Sequence, residues 1–375
     1  MRPKAGVDPA RLLRAAPRLL RGIRRRLRPR RVSAEAARWA IRLFLGREPT
    51  GREEVAFHRG HGDLNSLRTG FARTREFREF LARIGGEGRY AAPLFLLRPP
   101  ASPLVPWHFA PPSLAAPVSQ LCTAAQLEEP DFAWLCGALG LRPDPHRKVW
   151  EFAFVVAALR KAGLLRPGLR ALGFGVGQEP IPAFLARQGI SVLATDAPPE
   201  AIAGQGWEST GQHATGLAPL RRPSLVPNPE FDRLVRFTSC DMNAIPPELE
   251  GFDLCWSSCA FEHLGSIEHG LRFVEESLRT LKPGGLAVHT TEFNLSSDAE
   301  TFEEANLCLF RRHDLEALLE RLAQAGHRPW PLNLHPGDAP MDEHVDLPPY
   351  ALPHLKLLVS RFVTTSIGIV VQKAG

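Results

Sequence analysis

The stretch that decides the fold is residues 168–196, GLRALGFGVGQEPIPAFLARQGISVLATD. Residues 170–174 predict a short buried strand, and a turn with alternating glycines follows. Residues 181–188 predict a helix, since prolines suit the first helical turn, and residues 190–195 predict a second buried strand. Asp196 stands at the end of that strand. The order strand, glycine turn, helix, strand and acid predicts one βαβ unit that binds a nucleotide.

The glycine turn and the acid suit a nucleoside cofactor. Gly173, Gly175 and Gly177 alternate through the turn, where glycine lets the backbone approach a ligand closely. Asp196 comes 21 residues after Gly175, where a carboxylate can accept hydrogen bonds from two ribose hydroxyls. The alternative for this stretch alone is a glycine turn in an ordinary α/β protein.

The turn departs from the dinucleotide-binding pattern G-x-G-x-x-G. Counted from Gly175 the sixth residue is Pro180, and counted from Gly173 it is Gln178, so neither register fits. Glu179 at the helix start would also repel a pyrophosphate. The sequence therefore favours a cofactor with an uncharged or cationic end, and a dehydrogenase is the weaker interpretation.

The positive charge of the chain is concentrated at its N-terminus. The whole sequence is +6, but residues 1–31 hold twelve Arg or Lys and one Asp, a net charge of +11, so residues 32–375 sum to −5. An acidic body gives no reason to expect a nucleic-acid partner. Leucines at helical spacing among the arginines of residues 1–31 predict an arm that contacts an anionic membrane surface, and a disordered basic tail is the alternative.

Cysteine usage and hydropathy predict a cytoplasmic protein. The six cysteines form no C-x-x-C pair, and several lie in apolar segments, as expected of reduced, buried thiols. No run of 18 apolar residues would cross a membrane, and residues 1–31 lack the uninterrupted apolar core of a secretory signal. We expect a cytoplasmic location, peripheral at the inner face of the membrane if the arm binds lipid.

Residues 32–86 predict a small helical domain. The segments LFLGREP, at residues 43–49, and TREFREFL, at residues 74–81, resemble the signatures of a short bacterial helical domain of unknown function. Thr74 stands where that family has Ser. The resemblance implies association with cell-surface or glycan-related proteins, and an unrelated helical hairpin is the alternative.

The main domain is predicted to span residues 118–375. It follows residues 87–117, which are rich in proline and predict a linker or an extended arm packed on the next domain. The apolar pattern predicts its remaining strands at residues 234–238, 252–257, 286–290, 327–334 and 364–372.

Three motifs follow the βαβ unit in order: FDLCWS at residues 252–257, EHL at residues 262–264 and LKPGG at residues 281–285. In this order and spacing, residues 145–375 resemble the class I S-adenosylmethionine-dependent methyltransferases. The resemblance implies an α/β fold, namely a seven-stranded doubly wound sheet of the class I methyltransferase type with an antiparallel last strand. It also implies S-adenosyl-L-methionine as the cofactor.

By the same resemblance, each part of the cofactor has expected partners. The glycine turn would wrap the methionine end, Asp196 would bind the ribose hydroxyls, and residues 241–242 would contact adenine. Ser257 and Ser258, at the end of the fourth strand, would border cofactor and substrate. The expected cofactor-binding residues are Gly173, Gly175, Gly177, Glu179, Asp196, Asp241, Met242 and Ser257.

Two positions depart from the family pattern. The family usually has an acid two residues before the central glycine, where this chain has Gly173, and Glu179 replaces a later glycine. Glu179 can take over a contact to the amino group of the cofactor, or simply favour the helix N-terminus. The departures also suggest a rival interpretation, a noncatalytic scaffold or assembly protein with a degenerate methyltransferase fold.

The favoured function is O-methylation of a small molecule or a glycan, with the glycan resting on the helical-domain resemblance alone. A hydroxyl acceptor needs a base, and candidates lie beyond the strand ends, where open α/β sheets bind ligands. His263 is the first choice, with Glu262, Glu292 and His289 as further candidates; a helix-entry hydrogen bond is the alternative for His263. Residues 335–354 carry His and carboxylate residues that could bind a metal ion, but their spacing matches no strong ligand pattern; the segment fits a solvated or substrate-covering loop better, and no metal is expected.

Overall fold

The computed structural model describes residues 32–45, 47–77, 89–198, 213–348 and 350–375. They form two compact units, one within residues 1–80 and the other within residues 81–375. Three parts of the segments named above lie outside the described residues: the basic arm at residues 1–31, Gly46 of the first helical signature, and the end of the second signature at residues 78–81. The domain boundaries expected after residues 31, 86 and 117 remain predictions.

The first unit contains three described helices, α1 (Ala34–Leu45), α2 (Arg52–His58) and α3 (Leu64–Ala72). Helix α1 begins after Ser33, whose Oγ accepts a hydrogen bond from the backbone N–H of Ala36 at 3.0 Å. This is the capping expected of Ser at a helix start, where backbone N–H groups lack partners within the helix.

The arginine of the GREP motif has a structural role in this unit. The guanidinium of Arg47 bonds to the carboxylates of Glu54 on α2 and of Glu76, with N···O distances of 2.8 and 2.5 Å. The hydrogen bonds from Arg47 lower the pKa of Glu54 to about 2. Nearby, the ring of Phe71 stacks on that of Phe44 with centroids 5.2 Å apart. Arg47 of the motif therefore has a structural role within the unit.

The second unit is built on a mixed sheet, which has eleven strands within the described ranges, and a separate two-stranded ribbon of β7 and β8. In chain order the strands are β1 (Ser119–Leu121), β2 (Arg170–Phe174), β3 (Ser191–Asp196), β4 (Val235–Ser239), β5 (Phe252–Ser258), β6 (Leu281–Asn294), β7 (Glu303–Glu304), β8 (Leu307–Cys308), β9 (Arg328–Pro329), β10 (Leu332–Asn333), β11 (Val345–Asp346), β12 (Lys356–Val359) and β13 (Phe362–Gln372).

The helices of this unit are α4 (Ala124–Glu128), α5 (Pro130–Ala138), α6 (Arg147–Lys161), α7 (Ile181–Arg187), α8 (Asn228–Leu234), α9 (Ile267–Arg279), α10 (Arg312–Gln324) and α11 (Pro340–Glu343). Among all described helices of the chain, none combines the length and the apolar character that a bilayer crossing requires.

The predicted doubly wound α/β sheet is confirmed. Strands β4, β3, β2, β5 and β6 lie side by side in that order and run parallel. Strand β13 then pairs with β6 in the antiparallel sense over nine residue pairs, from Thr364↔Asn294 to Gln372↔Leu286. The carboxyl ends of the parallel strands therefore meet at one edge, the edge at which open sheets of this kind bind ligands.

Helices cover both faces of the sheet. On one face, Trp150 and Phe154 of α6 are buried in a core that also contains Trp256 of β5. On the other face, Phe273 of α9 contacts Phe174 of β2, with ring centroids 5.1 Å apart. Because successive strand residues point to opposite faces, residues 256 and 257 of β5 face different layers.

The sheet edge beyond β13 is more irregular than the sequence predicts. The single strand expected at residues 327–334 is instead two short strands, β9 and β10, with Pro331 between them, since proline lacks the N–H that a sheet ladder needs. Strand β1 lies between β13 and β10. Leu332 also exchanges backbone hydrogen bonds with the proline-rich segment, donating to Pro106 at 2.7 Å and accepting from His108 at 3.1 Å.

The LKPGG motif is part of a strand. The sequence predicts that residues 282–285 end a helix and that a strand begins at residue 286. The structure instead pairs Leu281 of β6 with Phe252 of β5, and the register shifts before the regular pairing resumes at Leu286. The Gly-Pro-rich motif is therefore accommodated as an irregularity within β6.

Candidate active site

The glycine turn joins β2 to α7 at the carboxyl edge of the parallel strands. Gly175 and Gly177 have φ angles of +57° and +50°, a backbone conformation that glycine adopts without steric cost. A Cβ atom on Gly175 would lie 2.8 Å from the Cβ of Ala260 and 3.4 Å from the Sδ of Met242. The backbone of the turn is thus closely approached by the segments that follow β4 and β5, and a side chain there would fill the space.

Asp196 lies at the end of β3, beside the glycine turn. Its Oδ2 accepts hydrogen bonds from the backbone N–H of Gly177 at 3.0 Å and of Ala214 at 2.9 Å. Its Oδ1 accepts from the N–H of Ala197 at 2.8 Å and lies 3.2 Å from Nδ1 of His213. A carboxylate has about four acceptor positions. Two ribose hydroxyls bound here would therefore replace His213 and Ala214.

The two residues expected at adenine follow β4. Met242 is 8% exposed, and its sulfur faces the glycine turn as described above. Asp241 is exposed, and its Oδ1 accepts a hydrogen bond from the backbone N–H of Asn243 at 2.8 Å. The structure thus brings Met242 to the turn, whereas the carboxylate of Asp241 stabilises the local chain reversal.

The departures at Gly173 and Glu179 are connected through Trp256. In the pairing of β2 with β5, Gly173 lies opposite Trp256. A Cβ atom on Gly173 would lie 2.5 Å from Cζ2 of the indole, too close for any side chain. The indole Nε1–H donates a hydrogen bond to Oε1 of Glu179 at 2.5 Å. Trp256 therefore fills the space that glycine leaves at residue 173 and holds the acid at residue 179.

A group of buried and half-buried ionisable residues lies near the carboxyl ends of β5 and β6. We call it the charged cluster, and its members are Arg147, Lys148, Glu151, Cys259, Glu262 and Glu292. The three carboxylate residues are at most 5% exposed. Buried charges are stable only when they are paired and hydrogen-bonded, so this cluster is a strongly constrained polar site inside an otherwise apolar layer.

The first turn of α6 supplies one side of the charged cluster. Glu151 is fully buried, and its Oε1 accepts hydrogen bonds from Arg147 at 3.2 Å, from the thiol of Cys259 at 3.0 Å and from Ser366 at 2.5 Å. The ammonium of Lys148 lies 3.0 Å from its Oε2. Burial opposes ionisation of Glu151, but Lys148 and Arg147 outweigh it and keep its pKa below the usual value.

The two predicted catalytic carboxylates supply the other side. Glu292 on β6 is ion-paired with Arg147 and accepts a hydrogen bond from Oγ1 of Thr364 at 3.0 Å. Burial raises the pKa of Glu292, although Arg147 partly offsets the effect. Glu262 is 1% exposed and accepts from Oγ1 of Thr291 at 3.0 Å. The structure therefore brings Glu262 and Glu292 into one site.

Comparison with known proteins identifies the central part of this unit. Residues 172–289 match the model of a family described as a methyltransferase domain. The match includes the glycine turn, Asp196 and two members of the charged cluster, Cys259 and Glu262. The chain contains a methyltransferase domain. It is of the S-adenosylmethionine-dependent class, so its cofactor is S-adenosyl-L-methionine.

One curated relative of the methyltransferase domain is the malonyl-[acyl-carrier protein] O-methyltransferase of Salmonella typhimurium. It is 31% identical over 105 residues, which are 28% of this chain and 40% of that protein. The chain therefore matches less than half of the relative's length.

Solved structures of similar fold include TehB from Haemophilus influenzae, with 14% identity over 59% of this chain and 61% of that one and a TM-score of 0.33. The N-terminal domain of EvdMO1 with SAH bound is 17% identical, with 58% of this chain and 80% of that one covered and a TM-score of 0.34. The [4+2]-cyclase SpnF is 22% identical, with 46% of this chain and 58% of that one covered and a TM-score of 0.30. At these scores the likenesses carry no argument about activity.

The residues of the methyltransferase domain fit its cofactor. Gly175 and Gly177 adopt positive φ angles in the turn, and the carboxylate of Asp196 lies beside the turn, bonded to the backbone N–H of Gly177, where it can accept from hydroxyls. Glu179, two residues after Gly177, has a buried carboxyl to which a cationic group of a ligand can bind. This donor and acceptor set suits a nucleoside that carries an aminoacyl end.

Three other predicted residues of the methyltransferase domain are divided between two layers. His263 follows β5, and its Nδ1 bonds to the carbonyl of Asn306 at 2.6 Å. Ser257, by contrast, faces α9, where its hydroxyl bonds to Nδ1 of His289 at 2.8 Å, and Nε2 of His289 bonds to Ser277 at 3.0 Å. Burial lowers the pKa of His289 to about 3. His289 is thus a structural residue of the α9 layer, apart from the charged cluster.

Arg147 and Lys148, which anchor the charged cluster, are functional residues that the sequence motifs did not indicate. A detectable signal exists, because both open a helix whose next turns are otherwise apolar, and Glu151 follows at helical spacing.

A second missed feature is the pair of Asp346 and His354, whose Oδ2 and Nδ1 lie 2.5 Å apart. The ring of His354 packs on that of His146, immediately before α6, with centroids 4.4 Å apart. No local sequence pattern connects these three residues.

One part of the charged cluster has metal-ligand chemistry. The thiol of Cys259 and carboxylate oxygens of Glu262 and Glu292 lie within 4.8 Å of one another. Arg147 already pairs with Glu292, however, and burial raises the pKa of the Cys259 thiol well above its ordinary value. The guanidinium of Arg147 thus already contacts two of these three groups, Glu292 and the sulfur of Cys259, and we assign no metal.

Proposed function

We propose that this chain is an S-adenosylmethionine-dependent O-methyltransferase that acts on a small polar molecule or on a glycan. The observation that supports it best is the position of the charged cluster beside the cofactor edge of the sheet. Lys148 of the cluster donates to the carbonyl of Ser258, the last residue of β5, at 2.8 Å. An acceptor bound at the cluster would therefore lie at the same strand ends as the cofactor.

Methyl transfer depends mainly on positioning. The bound cofactor supplies an activated methyl group on a sulfonium. The protein must hold an acceptor atom in line with it and exclude water, and such positioning alone contributes a large part of enzymatic rate enhancement. The glycine turn and Asp196 would hold the cofactor. The buried cluster would hold the acceptor through hydrogen bonds from Arg147 and to its carboxylates.

His263 is the base that we propose for a hydroxyl acceptor. Its Nδ1 bonds to the carbonyl oxygen of Asn306, which can only accept, so Nδ1 carries the hydrogen and Nε2 is the nitrogen that takes a proton in the neutral ring. Nε2 lies 4.0 Å from Oε1 of Glu262.

The depth of the charged cluster favours a small acceptor group. Glu151 and Glu262 are 0% and 1% exposed, so only a narrow portion of a substrate can reach them. The glycan interpretation has a separate basis, the resemblance of the helical signatures to a domain associated with glycan-related proteins. In either case the acceptor is expected to be polar, because a polar group can share the hydrogen-bonding groups of the cluster.

The test is methyl transfer from isotope-labelled S-adenosylmethionine to a panel of hydroxylated small molecules and sugars, followed by mass spectrometry. We expect a labelled methyl ether with at least one class. His263→Ala should lower its formation about 100-fold or more, the usual contribution of a general base, with unchanged affinity for S-adenosylhomocysteine. The matched control is His269→Ala on α9, whose Nδ1 bonds to the carbonyl of Leu264. Transfer to nitrogen or carbon acceptors alone would contradict O-methylation.

A noncatalytic scaffold is the second candidate. The observation that favours it is the full occupation of the Asp196 carboxylate by groups of the chain itself. If that arrangement is permanent, the domain binds no nucleoside. Failure of the wild-type protein to bind S-adenosylhomocysteine would support the scaffold and reject the enzyme.

A further inference from the structure

Glu179 and Trp256 form a buried hydrogen-bonded pair next to the glycine turn, which we call the Trp256–Glu179 pair. The indole N–H donates to Oε1 of the carboxyl at 2.5 Å. Trp256 has no exposed surface, and Glu179 is 5% exposed. Solvent and the helix dipole would be enough to stabilise an exposed, ionised carboxylate at the start of α7. Its burial against an indole needs another explanation.

The strand pairing fixes which residue supplies an acid here. The indole of Trp256 occupies the space over Gly173, with two ring carbons 2.5 and 2.7 Å from where a Cβ would be. Residue 173 therefore cannot carry an acidic side chain while Trp256 is present. Glu179 offers the carboxyl instead, and the indole N–H fixes one of its two oxygens. Ser258 is a second hydrogen-bonding neighbour of this carboxyl, and we expect a ligand to bind at the oxygen that the indole does not hold.

The electrostatic surroundings favour a cation as that ligand. Burial raises the pKa of Glu179 to about 8. Lys148 on α6 lowers it in part, while Asp196 on β3 raises it. The other neighbours on β5 are Trp256 and Ser258, which do not ionise. Near neutral pH the carboxyl is thus mainly protonated, and a bound cation would stabilise its ionised form.

We propose that the Trp256–Glu179 pair binds the positively charged amino group at the methionine end of the cofactor, with Trp256 as the positioning residue. When the ammonium group binds, Glu179 releases its proton to solvent and the resulting carboxylate accepts an N–H···O hydrogen bond; no covalent bond of the ligand changes. This inference rests on the proposed function, because it requires a cofactor of this class to bind.

The experiment compares two probes by calorimetry at pH 7. S-adenosylhomocysteine carries the amino group, whereas 5′-methylthioadenosine has the same nucleoside without it. Glu179→Gln should weaken the affinity for S-adenosylhomocysteine about 10-fold or more, as expected for a lost hydrogen bond to a charged group. The affinity for 5′-methylthioadenosine should be unchanged. Trp256→Phe keeps a ring over Gly173 and removes the N–H, so it should act in the same direction by several-fold. Glu320→Gln on α10, whose carboxylate accepts from Ser102, is the control.

Proton release gives a readout that a structural role would not change. Titrations in buffers of different ionisation enthalpy should show close to one proton released per S-adenosylhomocysteine bound by the wild type. We expect none with 5′-methylthioadenosine, and none for Glu179→Gln with either probe.

Several outcomes overturn the proposal. Equal affinity of the wild type and Glu179→Gln for S-adenosylhomocysteine would reject the pair as a binding site and leave the proposed function intact. If Glu179→Gln and Trp256→Phe both fail to bind either probe, the pair only supports the fold. A wild type that binds neither probe would reject the proposed function, and the pair with it.

Discussion

Replacement of Asp196 by Asn is the sharpest perturbation of the proposed cofactor site. The change keeps the size of the side chain and removes its charge. In the structure the carboxylate accepts from Gly177, Ala197 and Ala214 and pairs with His213. In the cofactor complex we expect two ribose hydroxyls in place of His213 and Ala214.

The magnitude follows from the difference between these two states. Bonds to Gly177 and Ala197 are present in both states and largely cancel. An asparagine retains one carbonyl oxygen, so about one charged hydrogen bond to ribose is lost. Such a bond contributes about 1.5–3 kcal/mol, which corresponds to a roughly 10- to 100-fold weaker affinity.

Calorimetry with S-adenosylhomocysteine and 5′-methylthioadenosine measures the effect. Both probes contain ribose, so Asp196→Asn should weaken the affinity for both by the same factor. Glu179→Gln, by contrast, should affect S-adenosylhomocysteine alone. Asp232→Asn on α8, which removes a carboxylate paired with Arg221 at 3.0 Å, is the matched control and should change neither. Unchanged affinity in a folded Asp196→Asn protein would refute the assignment of Asp196 to the ribose.

Three other predictions concern separate parts of the chain. His213→Ala should strengthen S-adenosylhomocysteine binding by about 2- to 10-fold, because one competing bond to Asp196 is removed; a 10-fold loss would mean that His213 contacts the cofactor. The pKa of His289 is lowered from 6.5 to about 3 in the folded state, so the unfolded state binds the extra proton and stability is lost as pH falls from about 6.5 towards 3. At pH 5 this loss is about 2 kcal/mol, measured by denaturant unfolding, and His289→Gln should lack it; an identical pH dependence in both proteins would contradict the argument. Removal of residues 1–31 should abolish salt-sensitive sedimentation with anionic vesicles, since each Lys or Arg near such a surface contributes about 1 kcal/mol, and should leave S-adenosylhomocysteine affinity unchanged; equal vesicle binding by both proteins would reject lipid attachment.

The central βαβ unit could be predicted closely because its determinants are local. Strand β2 has the predicted bounds, α7 ends one residue earlier than predicted, and β3 is shifted by one residue at both ends. Apolar runs, the glycine turn and prolines at a helix start act within a few residues of one another. The edge near β9 and β10 was less predictable, because its strands are completed by the distant segment around Pro106.

The site residues show the same division. Glu262 and Glu292 could be placed at the strand ends from the order of the strands alone. Their partner Arg147 could not, because it lies 145 residues before Glu292 and is brought there by the packing of α6. Trp256 likewise explains both Gly173 and Glu179, but only through the register of β2 against β5. Side-chain direction also separates Ser257 from the residues beside it, which motif order does not reveal.

Titration of the wild-type protein with S-adenosylhomocysteine tests the central claim most directly. The account predicts saturable binding with one site per chain, and a dissociation constant within about 1 μM to 1 mM, the range in which enzymes usually hold their substrates. Excess 5′-methylthioadenosine should compete for the same site. The absence of saturable heat at millimolar ligand, in a protein that unfolds cooperatively, would contradict the assignment of a working methyltransferase site to the glycine turn and Asp196.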